Sequence, residues 1–224
     1  MKLLEFLNKH ELENNLAEQI IKDLNDSIQS IGRATLLVSG GSTPKELYRK
    51  LSLYDIAWDK IEIGLVDERF VPVSEETSNE KMIREKLLIN YAEKASFTGM
   101  IYFSNDIFKN IEEVEKNYYK FQDNATVTVL GMGTDGHTAS LFPDNNASED
   151  DLKDKNSSIV LNTLSPSEPR RRISCSKRTI LNSKNIYLMM VGEPKMAVYN
   201  QAHLMKLPIS YFLSNLQTYY ASKN

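Results

Sequence analysis

The sequence predicts an α/β fold on a parallel, layered sheet, and three observations carry that prediction. Short apolar runs recur at Ala34–Val38, Ile61–Val66, Thr126–Leu130 and Ile186–Val191. Segments with apolar residues every three or four positions stand between them. Two of the runs lead into glycine turns, Gly40-Gly41 and Gly131-Met132-Gly133. Such runs suit strands buried on both faces, and strands alternating with helices imply a parallel sheet.

Each element has its own warrant. Leu12, Leu16, Ile20, Leu24, Ile28 and Ile31 form the apolar stripe of an amphipathic helix of roughly 20 residues, which Gly32 ends. Ala34–Val38 is a buried strand. Thr43-Pro44-Lys45-Glu46 has the form of a capping box, with Thr43 as N-cap, Pro44 at the first helical position, and Leu47, Tyr48 and Leu51 as the apolar face. Ile61–Val66 is the next strand, with Asp67-Glu68-Arg69 at its end. Thr77-Ser78-Asn79-Glu80 reads as a second capping box, for a helix reaching about Asn90.

Ile107, Phe108, Ile111, Val114, Tyr118 and Phe121 mark a third long helix, before the Thr126–Leu130 strand. Asp144–Ser158 is polar and acidic, a loop or short exposed helix outside the core. Arg171–Ser176 and Ile186–Val191 are strands, and Gly192-Glu193-Pro194-Lys195 opens a helix to about Leu204. No repeat, low-complexity tract or linker divides residues 1–224, which are read as one domain.

Composition narrows the function classes. Of 224 residues, 41% are hydrophobic and 25% charged, as in globular proteins with a full core. A net charge of -3 provides no global attraction to nucleic acid or anionic membrane, so neither is an expected partner and any anion needs a local site. The single cysteine, Cys175, excludes an internal disulfide, suits a reducing compartment and reads as a small strand residue. Met1–Phe6 is too short an apolar run for a signal peptide, and no stretch approaches the ~20 apolar residues that span a bilayer. A cytoplasmic protein is expected, monomeric or weakly homo-oligomeric.

Four segments could carry chemistry. Ser39-Gly40-Gly41-Ser42-Thr43-Pro44 joins a strand to a helix. Its glycines allow close backbone approach to an anion, and a tight capped turn explains the same residues equally well. Asp67-Glu68-Arg69 follows a buried strand directly, so at least one of its charges points into a crevice at the sheet end; the Arg69 fork suits a carboxylate, phosphate or oxyanion. His137 is one of three histidines and lies in a glycine-rich loop at a strand end. A helical turn just after it would keep the imidazole neutral, as a general base requires. His10 and His203 lie in ordinary helical surroundings. In Arg170-Arg171-Arg172, strand alternation aims one or two side chains at the sheet end, Arg172 among them; a solvated basic edge is the competing reading. No spacing of His, Cys, Asp or Glu suggests a metal site, and no cofactor is expected.

Taken together, these segments resemble the 6-phosphogluconolactonase family. The resemblance rests on Ser39–Pro44, on Asp67-Glu68-Arg69-Phe70-Val71-Pro72 with Ser78-Asn79 beyond, on Gly131–Pro143 over its full length, and on Pro169–Ser174 with Ser174 in place of threonine. Leu207-Pro208-Ile209-Ser210 is only loosely similar to the family's Leu-Pro-Ala-Ser, and a lysine frequent near Ser165–Pro169 is absent. Related glucosamine-6-phosphate deaminases share the glycine turn and the Asp-Gly-His core, but differ at Arg69 and at Ala139-Ser140-Leu141-Phe142-Pro143. The resemblance implies a Rossmann-like three-layer sandwich with a mostly parallel central sheet, formed by one lactonase-like domain. It implies hydrolysis of 6-phospho-D-glucono-1,5-lactone, a small phosphosugar lactone, in the oxidative pentose phosphate pathway. A deaminase/isomerase and a non-catalytic sugar-phosphate binder are the alternatives. His137, Arg69 and Asp135 are the expected catalytic group, with Asp135 or Asp67 orienting the imidazole or sugar hydroxyls. Gly40, Gly41, Ser42, Thr43, Asp67, Asn79, Gly136 and Arg172 are expected to bind substrate, with Arg172 a phosphate partner.

Overall fold

The computed structural model describes residues 2–223. In chain order the elements are β1 (Lys2–Phe6), α1 (Lys9–Ile31), β2 (Ala34–Val38), α2 (Lys45–Leu51), β3 (Ile61–Leu65), β4 (Asp67–Arg69), α3 (Asn79–Lys86), β5 (Ser96–Thr98), α4 (Ile107–Gln122) and β6 (Val127–Leu130). There follow α5 (Asn146–Leu152), β7 (Val160–Leu164), β8 (Arg171–Cys175), α6 (Lys177–Leu181), β9 (Asn185–Val191), α7 (Glu193–Gln201) and β10 (Gln217–Ala221). Seven strands form one sheet in the order β1-β10-β9-β6-β2-β3-β5, with every pairing parallel. The α/β class and the parallel sheet expected from the sequence are present.

The central strands are buried as their composition requires. All four residues of β6 are buried, as are Leu36, Leu37 and Val38 of β2. On α1, Leu12, Leu16, Ile20 and Leu24 are fully buried and pack the helix against the sheet. On α4, Tyr118 and Phe121 are fully buried. The Tyr118 hydroxyl accepts the Leu65 amide at 2.8 Å. Phe121 can press on β3 because Gly64 has no side chain; a β-carbon there would lie 2.8 Å from the ring. Burying each such aromatic stabilises the layer by about 1.5–3 kcal/mol.

A second, three-stranded antiparallel sheet, β4-β8-β7, was not foreseen. The chain leaves the large sheet at Val66, whose amide still donates to Val38 while its carbonyl accepts from Cys175 at 2.8 Å. Asp67-Glu68-Arg69 is therefore a short strand, and it pairs residue by residue with Ser174, Ile173 and Arg172.

Several local expectations are corrected. Pro44, with φ -87° and ψ 2°, precedes α2 in the N-cap position and no side chain caps that helix, so the Thr43 capping box does not form. Ser78, not Thr77, caps α3 by accepting the Lys81 amide; the Thr77 carbonyl is taken by Arg69 instead. α3 ends at Lys86 and α7 at Gln201, short of the expected Asn90 and Leu204. The acidic stretch after Asp144 does reach the core, through Leu152 of α5. Strands β1, β5, β7 and β10 carried too little alternation or length to be read.

Candidate active site

The sheet directs the chain to two loops that meet. From β2 the chain passes to β3 on one side, and from β6 towards β9 on the other, so adjacent strands β2 and β6 mark the switch point of the topology. A crevice at the carboxyl ends of the strands is forced open there. A cleft of about 570 Å³ fills it, lined by Ser39–Pro44 after β2, by Gly131–Asp135 and His137 after β6, and by Asp67, Arg69, Asn79 and Arg172 from the small sheet and α3. Of the residues expected to bind or catalyse, only Gly136 is absent from this lining.

The histidine loop is held by its own backbone. The Gly133 amide donates to the His137 carbonyl at 2.9 Å, and the Gly136 amide to Gly133 at 3.1 Å. Gly133 is needed because a β-carbon would sit 2.3 Å from the imidazole. Gly136 adopts φ 80° and turns its back on Leu207, while its carbonyl accepts the Ile209 amide at 3.1 Å. The expected helical turn after His137 is not formed; Thr138 and Leu141 close a tight turn instead.

Its partner is a carboxylate. Asp135 Oδ1 lies 2.6 Å from His137 Nδ1 and also accepts the His137 amide at 3.2 Å. Burial works to raise the Asp135 carboxyl, but the hydrogen bond and charge of His137 outweigh it and hold the group below its ordinary range. An ionised carboxylate only accepts, so Nδ1 carries a proton toward Asp135, and in the neutral imidazole Nε2 is then the acceptor. Phe142 packs on the ring, with centroids 4.8 Å apart.

The opposite wall is cationic. Arg69 and Arg172 are cross-strand neighbours and both line the cleft. Burial lowers the Arg172 guanidinium from its ordinary range, and the positive charge of Arg69 adds to that effect. Arg172 Nε donates to the Pro169 carbonyl at 2.7 Å, whereas the buried Arg69 Nε has no acceptor among the described residues. The other two arginines of that run, Arg170 and Arg171, are exposed. Gly41 takes φ 94° in the glycine turn, and the amides of Gly41, Ser42 and Thr43 meet no protein acceptor among the described residues.

Asp67 does not touch His137. It accepts the Ser140 hydroxyl at 2.6 Å, and its carbonyl accepts the Asn79 side chain at 2.8 Å. Glu68, fully buried between them, receives several donors from the start of α3, and burial pushes its carboxyl up to about 7.

Sequence reasoning missed Lys195 as a site residue. It stands in the first turn of α7 and lines the cleft. Burial lowers its ammonium from the usual range, and no carboxylate pairs with it among the described residues. The signal was present: Val191-Gly192 followed by a helix repeats the strand–glycine–helix pattern of the Gly40 turn.

Comparison with known proteins gives a consistent picture. The family model described as glucosamine-6-phosphate isomerases/6-phosphogluconolactonase matches residues 7–220. A 6-phosphogluconolactonase of Helicobacter pylori is 34% identical over 211 residues, covering 93% of this chain and 89% of that protein. One from Pseudomonas aeruginosa is 31% identical over 207 residues, covering 91% and 87%. Among solved structures, a 6-phosphogluconolactonase from Shewanella baltica is 35% identical with a TM-score of 0.93, covering 99% of this chain and 97% of that one.

Proposed function

The chain belongs to the glucosamine-6-phosphate isomerase/6-phosphogluconolactonase family, and from that membership and its cleft we infer that it hydrolyses 6-phospho-D-glucono-1,5-lactone to 6-phospho-D-gluconate, in the pentose phosphate pathway. The observation that carries the reading is the Asp135–His137 pair, 2.6 Å apart, facing two arginines across one cleft.

The chemistry follows from the placement. A lactone is an activated ester, so a positioned base and an oxyanion partner suffice to lower its barrier. His137 Nε2 takes a proton from water as the water oxygen attacks C1 of the lactone. Asp135 fixes the tautomer and offsets the positive charge that develops on the ring. Negative charge collects on the carbonyl oxygen, where the Arg69 guanidinium, which lines the cleft, is the cation suited to receive it. The tetrahedral centre then breaks its bond to the ring oxygen, which takes the proton from Nε2. The products are a hydroxyl and a carboxylic acid on one open chain, and the acid releases its proton to solvent to become the carboxylate.

The phosphate needs a separate grip. Lys195, with Arg172 and the open amides of Gly41, Ser42 and Thr43, supplies cations and donors, and Lys195 has no carboxylate paired with it among the described residues. An anion near Arg172 also relieves its repulsion with Arg69. Asp67 and Asn79 suit sugar hydroxyls. Gly136 serves the loop rather than the ligand.

We further propose that residues 1–224 act as one domain, supported by a buried core that runs through both sheets. The other proposals are a cytoplasmic enzyme, a monomer or weak homo-oligomer, and no nucleic acid partner. No helix among the described residues is long and apolar enough to cross a membrane.

The test is acid release from freshly generated 6-phosphogluconolactone, corrected for spontaneous hydrolysis. Acceleration is expected. No acceleration, together with ammonia release from glucosamine 6-phosphate, overturns the reading in favour of the deaminase side of the family.

A further inference from the structure

Strand β4 is three residues long, and its pleat sends alternate side chains to opposite sides. Asp67 and Arg69 enter the cleft. Glu68 points the other way, into the start of α3, and is fully buried. Its carboxylate receives four donors there. Oε1 accepts the amide of Arg69 at 2.7 Å and the amide of Asn79 at 2.7 Å. Oε2 accepts the amide of Glu80 at 2.7 Å and the Ser78 hydroxyl at 3.1 Å.

One oxygen thus holds the backbones of two residues whose side chains both reach the cleft. The two come from different elements, separated by the loop between β4 and α3. The Asn79 side chain adds a second tie between β4 and α3 by donating to the Asp67 carbonyl at 2.8 Å. Asn79 has little room to shift, because Gly40 lies against its amide; a β-carbon on Gly40 would fall 1.9 Å from Asn79 Oδ1. The Arg69 guanidinium donates to the Thr77 carbonyl in the same loop.

We propose that Glu68 is a positioning residue for lactone hydrolysis: its carboxylate ties β4 to the start of α3 and thereby fixes where the Arg69 guanidinium and the Asn79 amide stand in the cleft. It touches neither water nor substrate. The inference rests on the hydrolytic reading of the cleft given above.

Glu68→Gln tests it. Glutamine keeps the shape but turns an –NH2 toward two of the four donors. A misplacement of ~1 Å costs up to about 10²-fold in rate, so kcat/KM for 6-phosphogluconolactone is expected to fall 10–100-fold, mainly in kcat. The same change in an Arg69→Ala background is expected to cost at least threefold less, because one of the two positioned groups is gone and only the Asn79 amide is left to shift. Glu115→Gln is the matched control. Glu115 also accepts two backbone amides, those of Ile159 and Val160, but outside the cleft lining, and its variant should keep kcat/KM within threefold.

If Glu68→Gln does not fold, Glu68→Asp carries the same comparison. It is one methylene shorter and cannot serve both pairs of donors, so a loss of at least threefold is expected where Arg69 is present and a smaller one where it is not. Full activity in a folded Glu68 variant overturns the inference, as does an equal loss with and without Arg69. A wild-type protein that does not accelerate hydrolysis overturns the reaction and this inference with it; an active wild type beside an unaffected variant overturns the inference alone.

Discussion

Asp135 and His137 are two residues apart, and their contact is set by a single loop rather than by distant elements. That makes the pair legible from the sequence: a histidine among glycines after a strand has few other uses. Arg69 was legible for a related reason, a guanidinium directly after a buried strand. Lys195 was not, because a lysine in the first turn of a helix is ordinary until the cleft shows that no carboxylate answers it. Gly136, expected to bind substrate, lies outside the cleft lining; its left-handed φ and the side chain behind it place it in the loop's frame. His137→Ala should cut lactone hydrolysis by roughly 10²–10⁴-fold with the fold intact, measured by acid release and circular dichroism. Arg69→Lys should lower kcat/KM by about tenfold or more, since a point charge cannot reproduce the planar guanidinium fork. Wild-type kinetics in either variant removes that residue from the mechanism.

Among the elements, the histidine loop depends on a segment far along the chain. Leu207 packs on Gly136, and the fully buried Ile209 donates its amide to the Gly136 carbonyl. Leu207→Ala empties that contact and should cost about 2–5 kcal/mol. The Tm should drop by roughly 5–15 °C for a chain of this size. kcat should fall as the loop loosens, with KM changing less; an unchanged Tm would mean that the segment does not brace the loop. The caps illustrate why local pattern alone misplaces boundaries. Thr77 and Ser78 have the same capping chemistry, and tertiary structure chose between them by giving the Thr77 carbonyl to Arg69. At Thr43 the following Pro44 takes the N-cap position, which leaves Thr43 in the cleft lining.

Over the whole molecule, the strands that could be read are β8 of the small sheet and, in the large sheet, those buried on both faces: β2, β3, β6 and β9. The ones that could not are short or sit toward the edges, where burial imposes less pattern; β1, the first of these, is half-exposed along its length. The small antiparallel sheet was hidden for another reason. Its strand β4 follows β3 with only Val66 between, so the two read as one run. The site belongs to the middle of the large sheet, and β1 belongs to its margin. Deleting residues 1–6 should therefore lower the Tm by about 5 °C or more while kcat/KM stays within threefold. A large loss of activity at unchanged Tm would contradict that division.

The two walls of the cleft belong to different sheets. The base and the glycine turn extend from the large sheet; both arginines ride on the small one. A molecule that grips both walls joins two bodies that otherwise meet along a seam, so it acts as a clamp on folding as well as a reactant. Each bound product molecule should add RT ln(1 + [L]/Kd) to the unfolding free energy, about 2.7 kcal/mol at a hundredfold excess over Kd. The protein is then most resistant to heat when 6-phosphogluconate is abundant, and its melting curve reports the concentration of its own product.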